Sequence, residues 1–224
     1  MQRVSVLAMA GLLTCGSSFS QSNPLVSGAG IKPFRTVVSA ATYRGRKAVR
    51  IVPQGLGGVA IGTGGQALVE NMDFKDGEVD LDVAGMPAQG ADGTVRGFAG
   101  LTFRSSDDSS CFDCFYLRFT NGRAKDPVRR SHAVQYEAAP KYPWNRLRAE
   151  TPGKYEAHAD MVVGAWTHMR VVVAGNTARL YVGGATSPAL TVNQLLSGRS
   201  RGKIGLWIGV GTEAYFSNLK FTKS

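Results

Sequence analysis

The chain has 224 residues, 43% of them hydrophobic and 19% charged, which is an ordinary globular balance and excludes an intrinsically disordered chain. Its formal net charge of +10 suits an acidic glycan or cell surface, or does no more than keep the chain soluble. No nucleic-acid motif accompanies the charge, so a nucleic-acid partner is set aside.

In chain order, the first segment reads as a secretory signal peptide over residues 1–20. Arg3 supplies a positive charge, Val4 to Leu13 form an apolar stretch, and Ser18-Phe19-Ser20 offers a cleavage site before Gln21. An apolar core of about ten residues is too short to cross a bilayer of roughly 30 Å, and no later run is longer, so no stable membrane span is expected. Cys15, behind Leu12-Leu13-Thr14, stands where a lipid-anchored protein carries its cysteine, which gives the segment a second reading. The remaining chain, 21–224, reads as a single domain working in the periplasm or secreted.

From there the period is two. Val79, Leu81 and Val83 alternate with Glu78, Asp80 and Asp82; Phe115 and Leu117 alternate with Tyr116 and Arg118. Ala99, Leu101 and Phe103 repeat the pattern, as do Met169, Val171 and Val173, Leu180 and Val182, and Leu206 and Ile208. Each run sends one side inward and the other outward. Turn signals divide them: Arg44-Gly45-Arg46, Asp76-Gly77, Ala174-Gly175-Asn176 and Gly183-Gly184. With 28 glycines and no alternating helices, the fold class is all-β, a two-sheet antiparallel sandwich or jelly roll. One helical turn is expected at Val192 to Leu196. Thr120 to Gly153 departs from the pattern: it is polar, basic and aromatic, and reads as a long functional loop insertion, with Val134-Gln135-Tyr136 as a short strand crossing it.

The run from Trp166 to Val182 and the close from Ile208 to Leu219 resemble the paired and final strands of concanavalin A-like and laminin-G-like jelly rolls. Phe115-Tyr-Leu-Arg118, Asn121-Gly-Arg123 and Pro152-Gly-Lys-Tyr-Glu156 are similar to bacterial exported proteins near the 3-keto-disaccharide hydrolase domain family. The resemblance covers Phe34 to Phe221. It implies two curved sheets that meet glycans on a concave face or its rim. It also invites comparison with family 16 glycoside hydrolases, whose Glu-x-Asp-x-Glu signature is approached by Glu78-Val-Asp80-Leu-Asp82, with Asp in place of the final Glu.

Three groups of residues then become candidates. Asp80 and Asp82, two apart on a strand, lie roughly 6.5–7 Å apart at the backbone, within the separation of about 5–9.5 Å at which carboxyl pairs serve glycosidases. Their alternative role is a solvated outer face. Sugar rings stack their C–H faces on aromatic rings, so Trp207, Tyr116 and Tyr181, with Arg104, Arg118 and Arg179 on the same side of their strands, would make an aromatic and basic platform if those strands share a sheet. Within the insertion, Asn121, Arg123, Arg129, Arg130, Tyr142 and Trp144 are candidate ligand contacts, and His132 a candidate general base. The alternative is that the insertion folds over the platform and buries it as a second small core.

No metal cofactor is expected. His158, Asp160 and His168 could hold zinc, and Asp107-Asp108 with Asp113 could hold a structural calcium, as subordinate readings. Cys111 and Cys114 form either a short-loop disulfide or two free thiols. The partner is therefore a glycan or oligosaccharide. The leading function is an exported carbohydrate-binding or carbohydrate-processing jelly roll. The alternatives are a glycosidase similar to the 3-keto-disaccharide hydrolases and a structural or adhesive surface protein.

Overall fold

The computed structural model describes Leu25 and residues 27–55 and 64–223; the proposed signal segment and Cys15 lie outside the described residues. Strands numbered in chain order form two antiparallel sheets of seven. The front sheet runs β1 (Ile31–Phe34), β4 (Gly65–Val69), β13 (Lys203–Ile208), β6 (Phe98–Ser105), β7 (Phe112–Arg118), β8 (Val134–Ala139), β9 (Glu156–Ala157). The back sheet runs β12 (Leu190–Val192), β11 (Thr177–Val182), β10 (Thr167–Ala174), β5 (Gly77–Pro87), β14 (Thr212–Lys223), β3 (Arg46–Pro53), β2 (Thr36–Tyr43). This is the two-sheet antiparallel jelly-roll sandwich that the alternation predicts.

The alternation also places the core. Leu101, Phe103, Phe115, Leu117, Tyr136 and Leu206 face inward from the front sheet and meet Val79, Leu81, Val83, Met169, Val171 and Phe216 from the back. All are fully buried, and burying each such side chain stabilises the fold by about 1.5–3 kcal/mol. Turn chemistry holds the register. The β2–β3 hairpin closes on Arg44-Gly45, both at positive φ (46° and 75°), with Tyr43 opposite Arg46. The β10–β11 hairpin closes on Gly175-Asn176, with Gly175 at φ 57°, as two-residue hairpin loops require.

The 120–153 stretch is built differently from the loop expected of it. A 3-10 turn (Phe119–Asn121), helix α1 (Pro127–Ser131), the full strand β8 and helix α2 (Trp144–Glu150) fill it. Asp126 caps α1 by accepting from Val128 N at 2.9 Å, and Pro127 occupies its first turn, where a missing N–H costs nothing. Both helices are too short to print a helical period. No helical turn forms at Val192–Leu196; Leu195 drops into the core instead, its N–H bonded to Asn176 O at 2.9 Å. Cys111 and Cys114 are free thiols, Cys114 buried. Among the described residues no helix is long and apolar enough to cross a membrane.

Candidate functional site

The outward face of the front sheet carries the site. On β7, Phe112, Cys114, Tyr116 and Arg118 point outward while Phe115 and Leu117 enter the core. Trp207 joins them from β13, Phe98 from β6, and Gln135 and Glu137 from β8. The rings of Tyr116 and Trp207 pack with centroids 4.7 Å apart, and with Phe112 and Cys114 they form a small apolar cluster separate from the main core. Gly100 lies opposite Tyr116 in register. A Cβ there would overlap the Phe115 carbonyl and Tyr116 Cα, so a bare backbone is what lets Tyr116 sit this low.

Over this floor opens a cleft of about 660 Å³, walled by Phe98, Arg118, Asn121, His132, Glu137 and Trp144. A cavity of about 400 Å³ lies beside it, lined by Phe34, Ser110, Phe112 and Pro143. Glu137 and Trp207 line both spaces, so the two meet at these side chains as one groove. Each of the two volumes falls in the range of small-molecule sites, roughly 300–1,000 Å³.

The electrostatics of the groove centre on two glutamates. Glu156 of β9 is held by two cations and an imidazole: Arg148 donates to it from Nε (3.0 and 3.1 Å) and Nη2 (2.6 Å), Arg118 Nη1 stands at 3.6 Å and His132 Nε2 at 3.2 Å. Arg118 also donates to Tyr116 Oη (3.2 Å), Gln135 Oε1 (2.9 Å) and His132 O (3.0 Å). The guanidinium groups of Arg118 and Arg148 lie 5.6 and 4.8 Å from the Trp144 ring, a cation–π arrangement that fixes the wall. Burial holds the His132 imidazole below its usual range, outweighing the opposing pull of Glu156, and the charges of Arg148 and Arg118 act in the same direction as burial. A neutral imidazole that keeps its proton on Nε2, beside Glu156, has a lone pair on Nδ1.

Glu137 differs from Glu156. It is 7% exposed and accepts a hydrogen bond from Trp144 N at 3.3 Å, at the start of α2. Burial pushes its carboxyl up to about 7, against the smaller opposing effects of the Trp144 N–H and Arg118. A carboxyl group balanced near neutrality can give or take a proton at working pH.

The candidates from the sequence divide between two faces. Tyr116, Arg118, Asn121, His132, Trp144 and Trp207 line the cleft together. Asp80 and Asp82 do not: they lie on the outer face of the back sheet. There His168 bridges them at 3.1 and 3.2 Å, and Arg46 and Asn218 each donate to Asp82 at 2.7 Å. Tyr181 belongs to that face too, under Arg170 at 4.1 Å, so the single platform is split because β11 belongs to the back sheet. Arg104 leaves the platform at a bulge, with φ 51°. It turns to Asp76 Oδ1 (3.0 Å) and the carbonyls of Lys75, Gly175 and Arg199, joining the sheets at their edge. Arg123 forks onto Asp160 at 2.6 and 2.8 Å, Arg130 is exposed beyond the cleft, and Tyr142 packs on the main core under Arg146. His158, Asp160 and His168 have separate partners, and Asp113 faces inward to Tyr136 and Ser197 (2.5 Å each), away from Asp107 and Asp108.

Sequence reasoning missed Glu137, Glu156, Gln135, Arg148 and Phe98. The signal for two of them was present. Once Val134–Ala139 is taken as a full strand, the alternation that sends Tyr136 inward sends Gln135 and Glu137 outward, beside Tyr116.

A jelly roll with an aromatic-floored groove on one sheet is a concanavalin A-like sandwich. The chain belongs to the 3-keto-alpha-glucoside-1,2-lyase-like domain family, whose model matches residues 38–222. Among solved structures it is similar to carbohydrate-binding module CBM66 from Bacillus subtilis (TM-score 0.55, 16% identity, covering 87% of this chain and 96% of that one). It is also similar to the exoplasmic/lumenal domain of VIP36 in its Ca2+/Man3GlcNAc-bound form (TM-score 0.54, 11% identity, 90% and 86% covered). A third is a candidate glycosyl hydrolase from Parabacteroides distasonis (TM-score 0.52, 15% identity, 87% and 99% covered). At these identities the likeness is one of fold. No curated protein matches the sequence.

Proposed function

We propose that this protein binds a 3-keto-glycoside in the front-sheet groove and cleaves it by 1,2-elimination. The observation that carries this reading is Glu137, a buried carboxyl held near neutrality at the meeting point of two cavities, in the same cleft as a neutral His132. Family membership supports the substrate class.

The chemistry follows from the ketone. A carbonyl at C3 makes the hydrogen on C2 acidic. His132 Nδ1 takes that proton, and the charge of Glu156, 3.2 Å from the other ring nitrogen, stabilises the imidazolium that forms. The C1=C2 bond forms as the C1–O bond breaks, and the Glu137 carboxyl gives its proton to the departing oxygen. Arg118 and Arg148 offset the charge that gathers on the C3 oxygen. The rate therefore has a bell-shaped pH dependence. Its acid limb falls as His132 becomes protonated, and its alkaline limb lies near pH 7 as Glu137 loses its proton.

Leaving-group strength tests the two roles. With methyl 3-keto-α-glucoside followed by NMR, Glu137→Gln and His132→Ala each lower turnover by about 10²–10⁴-fold. With the 4-nitrophenyl analogue, whose leaving group needs no acid, Glu137→Gln recovers most of its rate and His132→Ala does not. The double variant Asp80→Asn/Asp82→Asn keeps wild-type turnover. Binding without turnover by the wild type would sink the lyase reading and leave a carbohydrate-binding protein.

The charged and apolar first residues, Arg3 and Val4 to Leu13, support placing this activity outside the cytoplasm.

A further inference from the structure

The proposed elimination leaves two cleft arginines unused. Arg96 and Arg129 both line the 660 Å³ cleft. Glu156 stands within ion-pair distance of both Arg118 and Arg148, whereas among the described residues neither Arg96 nor Arg129 has a carboxylate within that distance. Asp92 lines the same wall, but its carboxylate is engaged by the N–H (2.6 Å) and hydroxyl of Thr94. Arg96 donates one bond from Nη1, to Gly93 O at 2.5 Å. Arg129 reaches Thr120 Oγ1 and Asn121 Oδ1 only at 3.5 and 3.4 Å, and its buried Nε has no partner. The two guanidinium groups also act on one another: burial first, then the charge of Arg129, pull Arg96 below the usual arginine range, against a smaller opposing pull from Asp92.

Buried donors without acceptors are rare in folded proteins, and two like charges that face one cleft with no carboxylate in ion-pair contact repel. An oxyanion placed between their terminal nitrogens offsets the like charges and accepts the hydrogen bonds that Arg129 now makes only at 3.4 and 3.5 Å. Guanidinium forks match the oxygens of carboxylates and sulfates. We propose that the groove takes an anionic glycan, with an oxyanion substituent of the sugar bridging Arg96 and Arg129. The proposal rests on the sugar-groove reading above and names the substrate class within it. The chain's net charge of +10 favours the approach of such a ligand.

Calorimetric titration with three probes tests it: methyl α-D-glucuronide, methyl α-D-glucoside 6-sulfate and methyl α-D-glucoside. At least one anionic sugar binds about tenfold tighter than the neutral one, a difference of about 1.4 kcal/mol. The preferred probe tells whether the natural group is a carboxylate or a sulfate. The preference shrinks with added salt and is lost in both Arg129→Gln and Arg96→Gln. These variants lie on separate segments, and thermal melts confirm that each is folded. Equal binding of all three probes overturns the anionic substrate and leaves the sugar groove standing. Binding of none overturns both.

Discussion

At the residue scale, Glu137 links function to stability. In the unfolded chain its carboxyl titrates at about 4.3; in the fold burial moves it to about 7. Between those values the folded state holds more protons than the unfolded one, so stability falls as pH rises, and the loss is complete above pH 7. Glu137→Gln removes the ionisation. The variant matches the wild type near pH 5 and is more stable by about 1–3 kcal/mol at pH 8, a gain of several degrees in Tm that thermal melts at the two pH values read directly. An unchanged difference between the two pH values would contradict the buried-carboxyl account. Residues of this kind were hard to read in the sequence because their chemistry comes from their neighbours. Asp80 and Asp82 showed the spacing of a catalytic pair, yet on the back sheet they are bound up by His168, Arg46 and Asn218. Glu137 showed no pattern of its own, and its character comes from burial beneath α2. The placement of Tyr116 and Trp207 in the cleft was legible because alternation along their strands turns them outward, and His132 lines the same cleft from the basic, aromatic stretch.

At the element scale, the strands were legible and the helices were not. A period of two over five or more residues is a strong signal, and β5, β6, β7 and β10 follow it. The helices α1 and α2, of five and seven residues, complete less than two turns or barely two, too few to show a stripe. The strand β8 was seen only over its first half because Glu137 and Pro140 obscured its continuation. Arg104 shows how an irregularity defeats alternation. Its positive φ coincides with the shift in register between β6 and β13, which swings the side chain from the expected platform to the sheet edge. There it is 3% exposed and supports Asp76 together with three carbonyls. Arg104→Met removes the buried guanidinium's ion pair with Asp76 and its bonds to three carbonyls, and costs about 2–4 kcal/mol in urea unfolding. A loss under ~0.5 kcal/mol would mean that water replaces the guanidinium there.

At the scale of the whole molecule, the sandwich separates two polar faces that look alike in sequence. Both sheets alternate apolar with charged and aromatic residues, and nothing local tells which sheet a strand joins; that is decided by long-range pairing, such as β10 between β5 and β11. Tyr181 and Arg179 therefore could not be separated from Tyr116 and Arg118 before the topology was known. The separation makes the central claim testable with the chain's own reporters, its three tryptophans. Trp144 and Trp207 line the groove. Trp166 sits away from it, against Tyr43, with Arg46 5.5 Å from its ring. Titrating 15N-labelled protein with a 3-keto-glycoside and following the three indole N–H signals asks where the sugar binds. The Trp144 and Trp207 signals shift in a saturable way while the Trp166 signal stays in place. Movement of Trp166 alone would put the sugar on the back sheet and contradict the account.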